Sequence, residues 1–200
     1  MTTVAKLVAA MADKFQLDES SVRNKVRAMQ DAEILPLAVG RTVPHISSYH
    51  VAAAILGVLA SDKVKDAPKA FNRLQALFDR PIVDGMPEAL ERRLGAPKRL
   101  ADWLAEQIDF ARQFKNPPDF PSLHVETIYS VVINWPEFEA SALVVDADDE
   151  DKIVYRKNIR FRDHNQFDGW QRPVKHSYAF NGVTLARLVW TVFPQTGQDD

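Results

Sequence analysis

The stretch that most constrains the fold of this chain is LDESSVRNKVRAMQDAEILP, at residues 17–36. Asp18, Ser20 and Ser21 near its start are helix-capping residue types, because their side-chain oxygens can accept hydrogen bonds from the first free backbone N–H groups. Val22, Val26 and Met29 follow at the spacing i, i+4, i+7, so one face of the helix is apolar. The opposite face is polar and basic. It indicates either a solvated surface helix or a helix that lies in a nucleic-acid groove.

A second amphipathic helix is predicted immediately before this stretch. The segment Val4–Phe15 carries its large apolar residues on one face, and only Gln16 and Leu17 separate it from the cap of the next helix. Two helices joined by so tight a turn form a helix-turn-helix. The alanine-rich and leucine-rich segment Tyr49–Ala60 predicts a third helix, which would close the small core.

The segment Leu37–Ile46, with the sequence LAVGRTVPHI, lies between the second and third helices. A Gly-Arg pair between two short β-prone runs is typical of a small β wing. Arg41 would then lie at the tip of the wing, where it could reach a phosphate group or the minor groove.

The order of these segments resembles winged helix-turn-helix domains, of the MerR-like variety and of the kind found in DNA-binding proteins of temperate phages and prophages. The resemblance covers residues 1–61 and includes the basic helix that ends in ILP and the third helix, entered through HISSYHVAAAIL. It departs from the family at Gln16-Leu17, where many such domains carry a glycine. The resemblance implies that the DNA contacts come from the recognition helix and the wing, at Ser20, Ser21, Arg23, Asn24, Lys25, Arg27 and Arg41.

The remainder predicts a helical connector at residues 62–114 and a C-terminal domain at residues 115–200. The proline-rich run KNPPDFPS marks the boundary, because it cannot be helical. The connector helices would supply a dimer interface or pack against the C-terminal domain. Alternation and spacing predict strands at His124–Trp135, Glu137–Asp146, Ile153–Phe161 and Ser177–Phe180, and a closing helix at Val183–Phe193. The expected fold class is therefore α+β: an N-terminal winged helix-turn-helix, a helical connector, and a small C-terminal antiparallel sheet with a closing helix.

An acidic run, Asp146–Asp151, separates two of the predicted strands. Its carboxylates could hold a hard cation such as calcium or magnesium. The run lacks the glycine and the distal glutamate of a calcium-binding loop, so a solvated hairpin turn is the preferred interpretation.

Composition limits the classes of protein that fit. No apolar run approaches the ~20 residues that span a bilayer, and Lys6, Asp13 and Lys14 interrupt the N-terminal segment, which argues against a signal peptide. We therefore expect a cytoplasmic protein with no membrane partner. The chain has no cysteine, which excludes disulfides and thiolate metal ligands. The net charge is −2 overall, divided as +3 over residues 1–80 and −5 over residues 81–200.

No enzyme class is indicated by the sequence. The chain contains no phosphate-binding glycine loop, no G-x-S-x-G motif and no H-E-x-x-H motif. His45 and His50 lie beside the predicted third helix, where capping or surface roles are expected, and the other histidines are scattered. We therefore predict no catalytic residue, no cofactor and no metal.

These patterns together predict a sequence-specific DNA-binding transcriptional regulator, related to phage or prophage proteins and acting as a homodimer on double-stranded DNA. Arg23, Lys25 and Arg27 would anchor phosphates and read some bases, and Asn24 would pair with adenine. The C-terminal domain would oligomerise or bind an effector or partner. Two alternatives stay open: a DNA-packaging protein of the small-terminase kind, and a protein-interaction module with no nucleic-acid role.

Overall fold

A computed structural model describes residues 3–38, 44–77, 98–113, 127–135, 139–147, 153–161, 176–180 and 182–193 of this protein. Within the strands, side chains are described at Tyr178 and Phe180, and the other strand positions are described by their backbone. The helices are α1 (Val4–Phe15), α2 (Glu19–Asp31), α3 (Ser48–Leu59), α4 (Ala67–Gln75), α5 (Leu100–Arg112) and α6 (Gly182–Val192), with a 3-10 turn at Val64–Asp66. The strands are β1 (Thr127–Trp135), β2 (Glu139–Ala147), β3 (Ile153–Phe161) and β4 (His176–Phe180).

Helices α1 and α2 are joined by a turn of three residues, as the sequence predicts. Gln16 ends α1 in the left-handed region, with φ 54° and ψ 46°, a conformation that glycine adopts most readily. Asp18 then caps α2, because its Oδ2 accepts a hydrogen bond of 2.6 Å from the backbone N–H of Ser21. Gln16 thus takes the conformation for which a glycine is common in such turns.

Helix α3 lies at the centre of the helical body. Every residue from Val51 to Ala60 is buried, and α3 packs against α2, α4 and α5. Small residues allow these neighbours to approach closely. A Cβ atom at Gly57 would lie 2.6 Å from Met29 Sδ and 3.1 Å from the carbonyl oxygen of Ala67, so a side chain here would require the Met29 side chain and the start of α4 to shift.

Helix α6 returns from the C-terminal part of the chain to the N-terminal helices. It packs against α1 and α5, and Trp190 Nε1 donates a 3.1 Å hydrogen bond to the carbonyl oxygen of Ala111. The rings of Phe15 and Phe180 meet edge to face, with their centroids 5.5 Å apart. Helices from all three predicted segments therefore contribute to one apolar core.

The four strands pair antiparallel in the order β3-β2-β1-β4. In the register, Val131 is opposite both Ala142 of β2 and Phe180 of β4. Asp146, the last residue of the predicted strand Glu137–Asp146 and the first of the acidic run, lies within β2 opposite Tyr155. Residues 148–152 of the acidic run are outside the described residues.

The predicted fold class, α+β with an N-terminal winged helix-turn-helix, is wrong for the body whose packing the structure describes. Of the residues with described side chains, 73% lie in helices and 3% in strands, so the described packing is mostly helical. The physical reason is α3, which is apolar on all sides. Two helices and a wing cannot cover it, so α4 and α5 complete its surroundings. Residues 39–43 of the predicted wing, Leu37–Ile46, lie outside the described residues.

Candidate nucleic-acid interface

The apolar face of α2 is anchored in the helical core. Val22, Val26 and Met29 are at most 1% exposed, which confirms the spacing argument. Burial of these side chains fixes which face of α2 is turned away from the body, because residues on the opposite side of a helix follow at the same 3.6-residue period.

The outward face of α2 carries four exposed polar residues, which we call the α2 stripe: Ser20, Arg23, Asn24 and Arg27. Their spacing of i, i+3, i+4 and i+7 places them in one row along the helix. Three of them are residue types that commonly contact phosphates or base edges in the major groove. The row is therefore the described surface that best matches the predicted recognition face.

Both arginines of the α2 stripe pair with acidic residues of the same helix. Arg23 Nη2 lies 2.5 Å from Glu19 Oε1, and Arg27 Nε lies 3.1 Å from Asp31 Oδ1. The arginine side chains are 68% and 63% exposed, so water and salt screen the pairs and each contributes little to stability. The pairs extend the guanidinium groups along the helix surface. An arginine has five N–H donors, so one such bond leaves donors that can meet a phosphate or a base.

Lys25, predicted to contact DNA, is buried in the core in this structure. Its side chain is 8% exposed. Its Nζ donates a 3.1 Å hydrogen bond to the carbonyl oxygen of Val58 and a second, shorter bond to that of Ser61. These carbonyls belong to the last turn of α3 and the residues after it, where a donor satisfies backbone groups that have no partner within the helix. The position of Lys25 next to Val22 and Val26 is compatible with burial. The basic residues around it in the sequence RNKVR concealed this role.

Burial lowers the pKa of Lys25 from its ordinary value, and the negative charge of Asp62 partly opposes the shift. The same contacts bind α2 to the end of α3. Lys25 is therefore a positioning residue for α2, since it fixes the helix that presents the stripe.

The two serines at the start of α2 differ in their surroundings. Ser20 is exposed, whereas Ser21 is half-buried and its backbone N–H is used by the Asp18 cap. Arg41 lies outside the described residues, so its predicted contact from the wing stays a prediction.

A second basic group flanks α2. The 3-10 turn and α4 both pack against α2, and Lys63, Lys65 and Lys69 are exposed on them. The Lys25 side chain points to this side of α2, since it reaches Ser61, so Asn24 lies on the edge of the stripe nearest these lysines. The run DKVKDAPK was the available signal, and its two aspartates masked it.

The start of α3 is held by a capping box. The backbone N–H of His50 donates to Ser47 Oγ at 3.3 Å, and the backbone N–H of Ser47 donates to His50 Nδ1 at 3.1 Å. The capping role expected for His50 is confirmed. Burial, together with the charge of His45, lowers the pKa of His50 from its ordinary value.

The adjacent Ser48 joins α3 to α5. Ser48 Oγ donates to Asp109 Oδ1 at 2.5 Å, and Arg112 Nη1 donates to Ser48 Oγ at 3.2 Å. The Arg112 guanidinium also lies 4.3 Å from the centre of the Phe193 ring. The group satisfies a buried hydroxyl at a junction of helices, which is a structural role.

Within the described ranges, no three histidine or carboxylate side chains are grouped so that they could bind a metal ion. None of the described helices combines the length and apolar character that a bilayer crossing requires.

Comparisons of this chain with protein-family models, with curated proteins and with solved structures find no match.

Proposed function

We propose that this protein binds double-stranded DNA through the α2 stripe. The observation that carries the proposal is the exposed row Ser20, Arg23, Asn24 and Arg27 on a helix whose opposite face is fixed in the core. The short turn at Gln16 and the Lys25 contacts hold α2 in one orientation. A rigid helix of this kind can enter the major groove without first becoming ordered, so binding does not carry that entropic cost.

Each residue of the stripe has a distinct task in this proposal. Arg23 and Arg27 donate to phosphate oxygens or to the O6 and N7 atoms of guanine, and they exchange their bonds to Glu19 and Asp31 for these contacts. The side-chain amide of Asn24 pairs with the N6 and N7 atoms of adenine. Ser20 donates to a phosphate near the start of α2, where the helix dipole also favours an anion. Lys63, Lys65 and Lys69 attract the flanking backbone.

A single helix reads few base pairs, so we propose that the protein acts as a homodimeric, sequence-specific regulator with one α2 stripe for each half-site. Dimers of helix-turn-helix proteins place their recognition helices in successive major grooves, about 34 Å apart. The binding site would then be an inverted repeat with a half-site spacing of one helical turn.

The test measures binding of the full chain to fragmented genomic DNA from its source, followed by titration of one retained fragment at several salt concentrations. Replacement of both Arg23 and Arg27 by alanine should weaken binding at least about tenfold and reduce the slope of log affinity against log salt by up to about 2, since each phosphate contact contributes about 0.9. The matched control replaces Lys6 and Arg187 by alanine. It removes the same charge from exposed positions on α1 and α6 and should change affinity less than about twofold. Equal affinities of the two double variants would overturn the proposal.

The near-neutral charge of α2 favours a second candidate function, a protein-interaction module. Arg23 with Glu19 and Arg27 with Asp31 form two opposite-charge pairs on the exposed surface. An alternating pattern of this kind complements another alternating protein surface, whereas a polyanion meets both attraction and repulsion. No retention of any DNA fragment at low salt would favour this candidate.

A further inference from the structure

A small cavity lies where the ends of α1 and α3 meet β4 and α6. Its volume is about 140 Å³, and it opens to solvent on one side. Phe15, Leu59 and Phe180 supply its apolar lining, and Lys14, Gln16, Tyr178 and Thr184 supply polar groups. We propose that this cavity binds a small aromatic carboxylate.

The volume and the aromatic walls favour one planar ring. An apolar cavity of about 150 Å³ is large enough to hold benzene. Phe15 and Phe180 meet edge to face at 5.5 Å, with an angle of 68° between their planes. A ligand ring seated beside this pair extends the same stacking with offset or edge-on contacts. Leu59, which is 2% exposed, forms an aliphatic surface in the lining.

The polar lining favours a carboxylate on that ring. Lys14 brings a positive charge to the lining, and its side chain is 29% exposed. Its present partner is Asp13, at 2.6 Å, which is 69% exposed and can turn to solvent when a ligand carboxylate takes its place. Gln16 and Tyr178 carry N–H or O–H groups that can donate to the second carboxylate oxygen. A neutral aromatic compound would leave these groups without this compensation.

The first experiment titrates the full-length protein with benzoate and follows binding by ligand-observed NMR and by the shift in the thermal midpoint. Benzyl alcohol, which keeps the ring, and cyclohexanecarboxylate, which keeps the charge, are the comparison compounds. We expect benzoate to bind with a Kd in the millimolar range or tighter and each comparison compound to bind at least about fivefold more weakly. Absence of benzoate binding at about 10 mM would overturn the proposal.

Two variants locate the site, each with a control on the same helix. Lys14→Met should weaken benzoate binding at least about tenfold, whereas Lys6→Met, at an exposed position of α1, should leave it unchanged. Thr184→Phe projects a ring into the cavity and should abolish binding, whereas Thr191→Phe, at an exposed position of α6, should not. Benzoate binding that survives in both Lys14→Met and Thr184→Phe would overturn the assignment. These measurements use no DNA, so they stand or fall separately from the function proposed for α2.

Discussion

Lys25 is a basic residue of α2 that does not lie on the outward surface of the helix. The residue is 8% exposed. Its amine lies against the end of α3, where it donates to two backbone carbonyls. A lysine in this place supplies donors to backbone oxygens at the end of α3, which have no partner within that helix. Its cost is desolvation, which is why its pKa is lowered.

Replacement of Lys25 by alanine should lower the free energy of unfolding by about 2 kcal/mol, since two hydrogen bonds of about 1 kcal/mol each are lost. The measurement is urea denaturation at neutral pH. Lys6→Ala is the matched control, because Lys6 is exposed on α1 and its removal should change stability by less than about 0.5 kcal/mol. An unchanged stability for Lys25→Ala combined with a loss of DNA binding would show instead that Lys25 leaves the core to contact DNA.

At the scale of single residues, the sequence predicts burial better than it predicts polar roles. Val22, Val26 and Met29 follow a period that only one face of a helix can satisfy, and all three are buried. The role of Lys25 depends on the carbonyl oxygen of Ser61, which is 36 residues away in the chain. A local sequence pattern cannot show a contact between residues so far apart in the chain. The basic run therefore could not distinguish the buried Lys25 from the exposed Arg23.

Among the elements, α3 shows how a helix start can depend on pH. His50 Nδ1 accepts the backbone N–H of Ser47, and a proton on Nδ1 would remove that acceptor. The pKa of His50 is lowered by burial and by His45. The unfolded chain therefore binds more protons than the folded protein just below the ordinary histidine pKa of 6.5. The contribution of His50 to stability is full above this pH and is lost as the pH falls below it.

His50→Gln should reduce this pH dependence, because glutamine also reaches back to the N-cap in a capping box but does not titrate. The measurement is the thermal midpoint of both proteins between about pH 7.5 and pH 5. We expect the wild-type midpoint to fall more steeply below about pH 6.5 than that of the variant, and the NMR titration of His50 to give a pKa below 6.5. A constant difference between the two midpoints across this range would contradict the assignment.

The positions of the helices were accessible from the sequence, whereas the surroundings of α3 were not. The prediction Val4–Phe15 coincides with α1, and Tyr49–Ala60 is displaced by one residue from α3. Capping residues and apolar spacing are local signals and mark such limits well. By its composition, the run VAAAILGVLA predicts a helix that closes a small core. Its apolar residues occur on every face, and that pattern indicates a helix buried on all sides.

Across the whole molecule, the helical core joins parts of the chain that are far apart in sequence. Helix α6 packs against α1, and α5 packs against α3. The predicted division at residues 61 and 114 would cut through these contacts. Proline prevents a helix from continuing through a run such as KNPPDFPS, but it does not prevent the elements on either side from packing together, so the run could not predict these contacts.

A fragment of residues 1–61 should therefore fail to fold cooperatively, although it contains α1, α2 and α3. It would expose the faces of α3 that α4 and α5 cover and the face of α1 that α6 covers. Thermal unfolding followed by circular dichroism should show a broad, non-cooperative transition for the fragment and a sharp one for the full chain. A sharp transition in the fragment would establish residues 1–61 as an independent domain.

Because other helices enclose α3 along its length, its amide protons can exchange with water only when those helices separate. Deuterium would therefore enter α3 at a rate set by opening of the whole helical body. The amides near the solvent-facing start of α2 would exchange through smaller fluctuations and become labelled earlier. The rate of deuterium uptake in α3 therefore reports opening of the whole helical body, and mass spectrometry can measure it without an attached probe.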